Sequence, residues 1–236
     1  MEQDYNKNLS REHRHYRSFM LSTGVVVFVF ILALFAGMGF RVKLLIEENL
    51  LEQARAHFRT IIFTRAWNSG YGGVYVEKTG DMASNPYMKE PDIITRDGRV
   101  FTLKPPAVMT KEISTYAGAR DLFFFRITSL KPVNPANAPD AFERDALNRF
   151  ESGQKEYYRN EMIGQSMYFR YMAPLFVEES CLGCHGDSGY KVGEVRGGIS
   201  VNIDVGRTER GLKRNFVVIL VLGVLSLAVL LSVVFY

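Results

Sequence analysis

The chain has 236 residues, of which 47% are hydrophobic and 23% are charged, so it can bury a core and is not disordered throughout. Its formal net charge is +4, from 29 Lys and Arg against 25 Asp and Glu, and this excess is too small to indicate nucleic acid as the main partner. The chain has only 2 cysteines, which excludes a disulfide scaffold and makes their spacing the informative feature.

Two long apolar segments lie near the chain ends, at residues 19–40 and 215–236. At about 1.5 Å rise per residue, a helix over the first segment reaches roughly 33 Å, which is enough to cross the hydrocarbon core of a bilayer. This apolar run is longer than a signal peptide requires, and no small-residue cleavage site follows it before Arg41. The sequence therefore predicts a tail at residues 1–18, two transmembrane helices, and one domain at residues 41–214 between them.

The central domain begins with a segment free of proline and glycine, which predicts a helix that continues from the first span. Leu50, Ala54, His57 and Ile61 lie on one stripe of this helix, at the spacing of a core-facing side. The sequence NSGYGG at residues 68–73 is predicted to end the helix.

Short strands and two further helices are predicted to follow. The predicted strands are VYVEK, RVFTL, LFFFRITSL, SMYFRYMAPLFVEE and GGISVNIDV, and the predicted helices are AVMTKEISTYA and DAFERDALNRFESG. This order of elements predicts an α+β fold with a mixed or antiparallel sheet, a long N-terminal helix and a transmembrane helix on each side.

The two cysteines form the motif Cys181-Leu182-Gly183-Cys184-His185, which is the attachment signature of c-type haem. Thiols at this spacing reach the two vinyl groups of one porphyrin, and the adjacent histidine ligates the iron. A redox dithiol, half of a zinc site and chance are the alternatives. The chain has no second cysteine pair to complete a zinc site, and a glycine-containing loop follows where a thioredoxin motif would open a helix. The motif therefore predicts one haem c attached to Cys181 and Cys184, with His185 as the proximal iron ligand.

Haem attachment takes place outside the cytoplasm, and this predicts the orientation of the chain. Lys7, Arg11, Arg14 and Arg17 precede the first apolar segment and favour a cytoplasmic N-terminus. Basic residues also crowd the outer end of the second segment, so charge alone does not decide the orientation. Together the two arguments predict a protein of the bacterial inner membrane with two spans and its haem domain in the periplasm.

Several segments resemble, in this order, the PAS-like haem-c sensor domain family of bacterial sensor kinases and related transducers, which was long catalogued as a domain of unknown function. They are TRAWNSGYGGVYV, DGRVFTLKPPAVMTKEI, ITSLKPVNPANAPDAFE, FRYMAPLF and CLGCHGDSGYKVGEVRGGISV. The resemblance covers about residues 45–205. It implies a PAS-like sheet with a covalent haem, coupled through two membrane helices to a cytoplasmic output domain or partner.

The second iron ligand has several candidates. His57 is the only outer histidine besides His185, and its imidazole would complete a bis-histidine iron. Met109 and Met172 lie in the family-like segments and are alternatives, as is water or an empty position. A cysteine ligand is excluded, because haem attachment uses both cysteines.

Four basic side chains in the motif-rich segments are candidate partners of the haem propionates: Arg126, Lys131, Arg170 and Arg196. Each of them is equally explained as an ordinary solvated side chain.

Two functions fit these predictions. The first is a sensor in which haem redox state or a small gaseous ligand alters the domain and the membrane helices transmit the change. The second is a membrane-anchored monohaem c-type cytochrome for electron transfer. No catalytic residue is predicted, and enzyme activity is not expected of this chain. The expected partners are the lipid bilayer, a second copy contacted through the membrane-proximal helix, a cytoplasmic output domain or partner, and a small gas.

Overall fold

A computed structural model describes residues 2–119, 123–179, 189 and 191–235. The chain divides into two units, one comprising Met1–Glu48 with Arg207–Tyr236 and the other comprising Asn49–Gly206.

The first helix, α1 (Glu2–Gly70), ends at the predicted glycine-rich sequence. The N–H groups of Gly72 and Gly73 donate to the carbonyls of Ser69 and Asn68, both at 2.9 Å. Both glycines have positive φ values, 72° and 106°, which other residues adopt only with strain. The glycines therefore provide the turn that stops the helix and starts the first strand.

A small antiparallel sheet follows α1 and has the strand order β1-β3-β2. Its strands are β1 (Val74–Glu77), β2 (Asp92–Ile94) and β3 (Val100–Lys104). Asp92 accepts hydrogen bonds from Ser84 Oγ at 2.6 Å and from Lys78 Nζ at 3.2 Å. These contacts fix the long connection between β1 and β2.

The next helix, α2 (Pro106–Ala119), begins with a proline, whose fixed φ suits the first helical position. Ser114 of α2 lies against β4 (Phe124–Thr128). Its hydroxyl donates to the Phe125 carbonyl at 2.5 Å and accepts from the Phe125 N–H at 3.0 Å. One side chain thus satisfies both backbone groups of Phe125 at the outer edge of β4.

A four-stranded sheet forms the centre of this unit, with the order β4-β7-β6-β5 and every neighbouring pair antiparallel. Its other strands are β5 (Tyr157–Ile163), β6 (Ser166–Phe176) and β7 (Val195–Asp204). Ile163 pairs with Ser166 across a tight hairpin turn. Gly164 in this turn has a φ of 62°, as two-residue hairpin turns require.

The helix α3 (Ala141–Glu151) covers one face of this sheet. It begins with a capping box in which the Glu143 N–H donates to Asp140 Oδ1 at 2.9 Å and the Asp140 N–H donates to Glu143 Oε2 at 3.1 Å. The core between α3 and the sheet is formed by Phe142, Ala146, Leu147, Phe150 and Met172.

The second part of α1 packs on the opposite face of the sheet. Its Phe58 ring contacts the ring of Tyr171 in β6, with centroids 6.0 Å apart. The predicted apolar stripe on α1 is confirmed. Its members Leu50, Ala54 and Ile61 are buried, and His57 is half-buried.

The last helix, α4 (Val205–Phe235), packs against α1 within the other unit. A Cβ on Gly223 would lie 2.6 Å from the ring of Phe35, and a Cβ on Gly39 would lie 3.6 Å from the ring of Phe216. Close approach through small residues is typical of helix pairs in membranes.

One segment of the described residues, Arg11–Gly70, is a helix long and apolar enough to cross a membrane, with a mean hydropathy of 2.6 in its most apolar window. A helix of this kind near the N-terminus is typical of a membrane span or of a signal sequence. Among the residues of α4 that the structure describes in full, the apolar stretch is Arg214–Ser226, which is shorter than a membrane span requires. The second predicted span therefore stays a prediction.

The α+β architecture, the antiparallel pairing and the long N-terminal helix confirm the corresponding predictions. The strands divide into two sheets, however, and the sequence did not predict β2 or β5. β2 has 3 residues, too few for a recognisable pattern. β5 is an edge strand whose side chains alternate between half-buried and exposed, so its sequence has no continuous apolar run.

Candidate functional site

The haem-attachment motif lies in the connection between β6 and β7. The three residues predicted to hold the haem lie outside the described part of the chain, so their roles stay predictions: Cys181, Cys184 and His185. The described residues on either side are joined to each other. The Val177 N–H donates to the Glu194 carbonyl, and the Gly193 N–H donates to the Val177 carbonyl, both at 2.9 Å. The attachment segment therefore begins and ends at the same end of the four-stranded sheet.

A β-bulge in β7 lies next to the two ends of the attachment segment. Leu175 of β6 pairs with Gly197, whereas Phe176 pairs with Val195, which leaves Arg196 as the extra residue in β7. Bulges bend a strand and re-aim a side chain, and they are frequent next to functional sites.

The Arg196 guanidinium contacts the turn that follows β4. Its Nη1 donates to Ser129 Oγ at 2.9 Å and to the Lys131 carbonyl at 3.3 Å. Ser129 Oγ in turn donates to the Arg196 carbonyl at 2.8 Å. These three residues line a cavity of about 110 Å³. Two of the four predicted propionate cations, Lys131 and Arg196, are therefore neighbours beside the ends of the attachment segment.

Glycine at position 197 permits this close arrangement. A Cβ at Gly197 would lie 2.3 Å from the Thr128 carbonyl oxygen and 3.3 Å from the Ser129 side chain. Because real Cβ atoms do not approach oxygen so closely, any larger residue would push β7 away from the end of β4.

The other two predicted cations, Arg126 and Arg170, lie on the face of the sheet that α3 covers. Arg170 is 4% exposed, and it donates to Asp140 and Glu161 carboxylates at 2.7 Å each and to Asn202 Oδ1 at 2.9 Å. The structure thus gives this arginine protein partners, and its contact with a propionate stays a prediction.

Glu143 is fully buried in the same network. Ser200 Oγ donates to its Oε1 at 2.6 Å, while Arg126 Nη1 lies 3.4 Å from Oε2 and Arg170 Nη2 lies 3.7 Å from Oε1. A buried carboxylate requires such partners, because an unpaired charge in the interior is strongly destabilising. The predicted contact of Arg126 with a propionate likewise stays untested.

Asp140 completes the network at the N-terminus of α3. Burial alone would raise the pKa of Asp140, but the Glu143 N–H and the Arg170 guanidinium outweigh it and hold the pKa below its usual value. The network therefore requires a carboxylate at this position and fixes the start of α3 on the sheet.

His57 lies on the side of α1 that meets the sheet. Its imidazole stacks on the ring of Phe123, with centroids 3.8 Å apart and an interplanar angle of 19°. Phe123 in turn stacks on Phe125 of β4, at 5.9 Å. Burial lowers the pKa of His57 from its ordinary value of 6.5, which favours the neutral imidazole at pH 7. Neutral imidazole is the form that ligates iron, and it is also the form that packs against an aromatic ring.

The two candidate methionines have defined protein surroundings. The Met109 sulfur accepts a hydrogen bond from Nδ2 of the buried Asn68 at 3.4 Å. Met172 is fully buried in the core beneath α3. Their roles as iron ligands stay predictions. Among the described residues, no group of three or more His, Cys, Asp and Glu is arranged to hold a metal ion.

His57 and the ends of the attachment segment lie at opposite ends of the sheet. Phe123, which His57 contacts, immediately precedes the residue of β4 that pairs with Asn202. The attachment segment leaves the sheet at Phe176 and Val195. The positions between Asn202 and Val195 span roughly 20 Å at about 3.3 Å per residue. Direct ligation by His57 therefore requires the attachment segment to reach back along the sheet.

Sequence reasoning missed the residues that surround the predicted cations. Asp140 and Glu143 have the D-x-x-E spacing of a capping box, which could have predicted their contact with each other. Nothing local in the sequence indicates that Ser129 would contact Arg196, because 67 positions separate them along the chain.

Comparison with known proteins gives one family and one solved structure. Residues 43–204 match the model of the family described as Tll0287-like: Tll0287. The solved structure is the crystal structure of the cyanobacterial heme-protein Tll0287, with 20% sequence identity and a TM-score of 0.42, covering 65% of this chain and 94% of that one. This TM-score is too low to establish a shared fold. No curated protein matches the chain.

The family match covers more than half of the chain and nearly the same range as the resemblance found in the sequence motifs, which it confirms. The chain therefore belongs to the Tll0287-like family.

Proposed function

We propose that the chain is a membrane-anchored sensor whose periplasmic, PAS-like domain binds one covalent haem c. The observation that supports this best is the Cys181-x-x-Cys184-His185 motif within the family-matched residues. The family is named after Tll0287, which is a cyanobacterial heme-protein of known crystal structure.

The donor set of the chain fits this group. Cys181 and Cys184 would form the two thioether links, and His185 would ligate the iron. Hydrogen bonds between Val177 and Gly193 and between Val177 and Glu194 hold the two ends of the attachment segment together. Haem c supplies a reversible one-electron couple and an axial position for a second ligand. The second ligand would be His57, Met109, Met172, or an exchangeable molecule such as water.

In this proposal, the haem redox state or a small gaseous ligand is the signal, and α1 transmits it. α1 includes both the candidate membrane span and the residues that pack on the sheet. Arg55 binds Glu156 through Nε at 3.0 Å and Nη2 at 2.5 Å, and this ion pair fixes α1 to the residue just before β5. A change in the sheet would therefore act directly on α1. The proposal requires that the haem state changes the equilibrium between two arrangements of α1, one of which activates the cytoplasmic output.

The orientation and the partners are part of the same proposal. The N-terminus lies in the cytoplasm, residues 19–40 and 215–236 span the inner membrane, and the haem domain lies in the periplasm. The output is a cytoplasmic domain or partner, and a second copy associates through the membrane-proximal part of α1.

Haem attachment is tested with the full chain, produced together with a periplasmic cytochrome maturation system and purified in detergent. The expected result is one haem per chain that stays bound through extraction with acidified acetone. The variant with Cys181→Ala and Cys184→Ala should lose covalent haem, whereas Met109→Leu should retain it. Equal haem content in the double variant and the parent chain would contradict the proposal.

Binding of carbon monoxide is the measurement that distinguishes a gas sensor from an electron carrier. A sensor of small gases should bind carbon monoxide in the ferrous state, with a shifted Soret band. A six-coordinate haem that excludes carbon monoxide and exchanges electrons rapidly with a soluble cytochrome would instead indicate an electron carrier.

The orientation is tested with a reporter enzyme that is active only in the periplasm. The fusion after Gly80 should be active, and the fusion after Arg17 should be inactive. The opposite pattern would contradict the orientation and also the haem proposal, because the maturation system could not reach the cysteines.

A further inference from the structure

An open recess of about 1,000 Å³ lies on α1 where its apolar segment begins. The residues that line the recess recur at helical spacing along one side of α1: His13, Arg14, Arg17, Ser18, Leu21 and Ser22. The first four of these residues are polar and precede the apolar segment at residues 19–40, whereas Leu21 lies within it. The recess therefore has a cationic part outside the apolar segment and a second part inside it.

The two arginines of the recess have no carboxylate partner in the part of the chain that the structure describes. Both side chains are exposed, and neither of them takes part in a described ion pair or hydrogen bond. Glu12 is the only acidic residue between Arg11 and Ser22, and it does not line the recess. The positive charge of Arg14 and Arg17 is therefore available to an external anion.

The position of the recess along α1 sets the depth at which it would meet a membrane. A helix over residues 19–40 is roughly 33 Å long, which matches the hydrocarbon thickness of a bilayer. As a membrane span, this segment places Ser18 at the level of the lipid headgroups. The long side chains of Arg14 and Arg17 can then extend along the helix, with their guanidinium groups among the phosphates.

We infer that Arg14, Arg17 and Ser18 bind the headgroup of an anionic phospholipid, with one of its acyl chains along Leu21. Guanidinium groups bind phosphate oxygens through paired N–H donors, and a serine hydroxyl adds a further donor. The two unpaired positive charges favour a headgroup with a net negative charge over a zwitterionic one. This inference rests on the membrane anchoring in the proposed function, and it does not depend on the haem.

A lipid fits the recess better than a free phosphate ion does. The recess continues into the apolar segment at Leu21, and an ion without an apolar part gains nothing from that side chain. Exposed arginines also hold a free ion weakly, because salt screens the attraction in water. A phospholipid is kept at the membrane surface by its acyl chains, so its phosphate stays close to the two guanidinium groups.

The other end of the apolar segment provides a charge-matched comparison. Arg41 and Lys43 follow this end and have the same combined charge as Arg14 and Arg17. Their side chains are also exposed. A general attraction between cations and anionic lipids would involve both pairs, whereas only Arg14 and Arg17 line the recess.

The test uses the full chain, produced with the cytochrome maturation system and purified in detergent. Equal amounts of phosphatidylglycerol and phosphatidylcholine with identical acyl chains are added, and native mass spectrometry measures which lipid stays bound. The parent chain should retain phosphatidylglycerol in preference to phosphatidylcholine. The double variant Arg14→Gln with Arg17→Gln should lower this preference by more than about tenfold, because each cation near a membrane surface contributes about fivefold.

Three controls make the test specific. Arg41→Gln with Arg14 and Arg17 intact, combined with Lys43→Gln, should change the preference by less than about twofold, because these residues do not line the recess. Arg14→Lys with Arg17→Lys retains both charges and should retain most of the preference. Inorganic phosphate should displace no more lipid than sodium chloride at the same ionic strength.

Each contrary outcome has a separate meaning. Absence of a lipid preference in the parent chain, or an equal loss in the two pairs of Gln variants, would contradict the inference. Displacement by inorganic phosphate beyond that by chloride would show a site for free phosphate and would overturn the lipid assignment. A preserved lipid preference in a chain without covalent haem would contradict the proposed haem function and leave this inference intact. Recovery of the chain in the soluble fraction of the cells would contradict the membrane anchoring itself.

Discussion

The imidazole of His57 and the ring of Phe123 stack with their centroids 3.8 Å apart. This contact joins α1 to the start of β4, at the end of the sheet opposite Phe176 and Val195, where β6 ends and β7 begins. It gives His57 a packing role, and ligation of the haem iron by His57 stays a prediction. The two explanations lead to different results for a single substitution.

Replacement of His57 by phenylalanine preserves an aromatic ring against Phe123. If His57 only packs against Phe123, the optical spectrum and spin state of the haem should be unchanged in this variant. Absorption and electron paramagnetic resonance spectra of the purified variant measure this. Conversion from low-spin to high-spin iron, with carbon monoxide now able to bind, would identify His57 as the distal ligand.

The same substitution has an expected effect on pH dependence. Burial lowers the folded-state pKa of His57 below 6.5, so the unfolded chain takes up the proton first as the pH falls. The contribution of neutral His57 to the stability of the folded chain is therefore fully present above pH 6.5. It is lost as the pH falls from 6.5 to the folded-state pKa of His57. His57→Phe should show a smaller loss of thermal stability between pH 7 and pH 5 than the parent chain, and equal losses would contradict the prediction.

Glu143→Gln should destabilise the domain strongly. The substitution removes the buried charge that faces Arg126 and Arg170, and breaking a buried ion pair typically costs about 3–5 kcal/mol. Chemical denaturation followed by intrinsic fluorescence measures the effect. Glu77→Gln, in an exposed ion pair with Arg99, is the control and should cost less than about 1 kcal/mol. Similar costs for the two variants would show that the network beneath α3 contributes little.

Asp140 should contribute to acid sensitivity. Its folded-state pKa lies below the ordinary value of 3.8, so its stabilisation is present above that pH and is lost as the pH falls toward the folded-state pKa. Asp140→Asn should be less stable than the parent chain at pH 6, and the difference should narrow below pH 4. A constant difference over this range would indicate that the capping hydrogen bond alone accounts for the effect. Asp81→Asn, at an exposed position, is the control.

Gly197→Ala tests the close approach of β7 to the end of β4. The added Cβ would lie 2.3 Å from the Thr128 carbonyl oxygen, so the strands must separate, at a typical cost of about 1–3 kcal/mol. Gly70→Ala places the same atom in open space and is the matched control. Thermal unfolding of the two variants measures the difference in their stability. Equal stability would show that the end of β7 can move away from β4 without loss of stability.

Local patterns in the sequence predicted the elements that depend on local properties. The apolar stripe on α1 follows from helical spacing, and the end of α1 follows from the glycines at positions 70, 72 and 73. The haem motif is likewise recognised from five consecutive residues, Cys181 to His185.

Properties that depend on distant contacts could not be predicted in this way. Arg170 looked like any other basic residue, and its burial among carboxylates results from the pairing of β6 with β7 and the docking of α3. Arg196 acquires its direction from a bulge, which depends on the register of two strands. β5 was missed because one side of it faces solvent.

Ser114 restricts how copies of the domain can associate through their sheets. Its hydroxyl occupies both backbone groups of Phe125, so an incoming strand cannot pair there without displacing α2. In the part of the chain that the structure describes, β5 forms the other edge of this sheet, and Arg159 and Glu161 lie within it. Charged residues on an edge disfavour strand addition. The sheet is thus protected against strand addition on one side by α2 with its Ser114 hydroxyl and on the other by charge, and loss of the hydroxyl would leave both backbone groups of Phe125 without this partner.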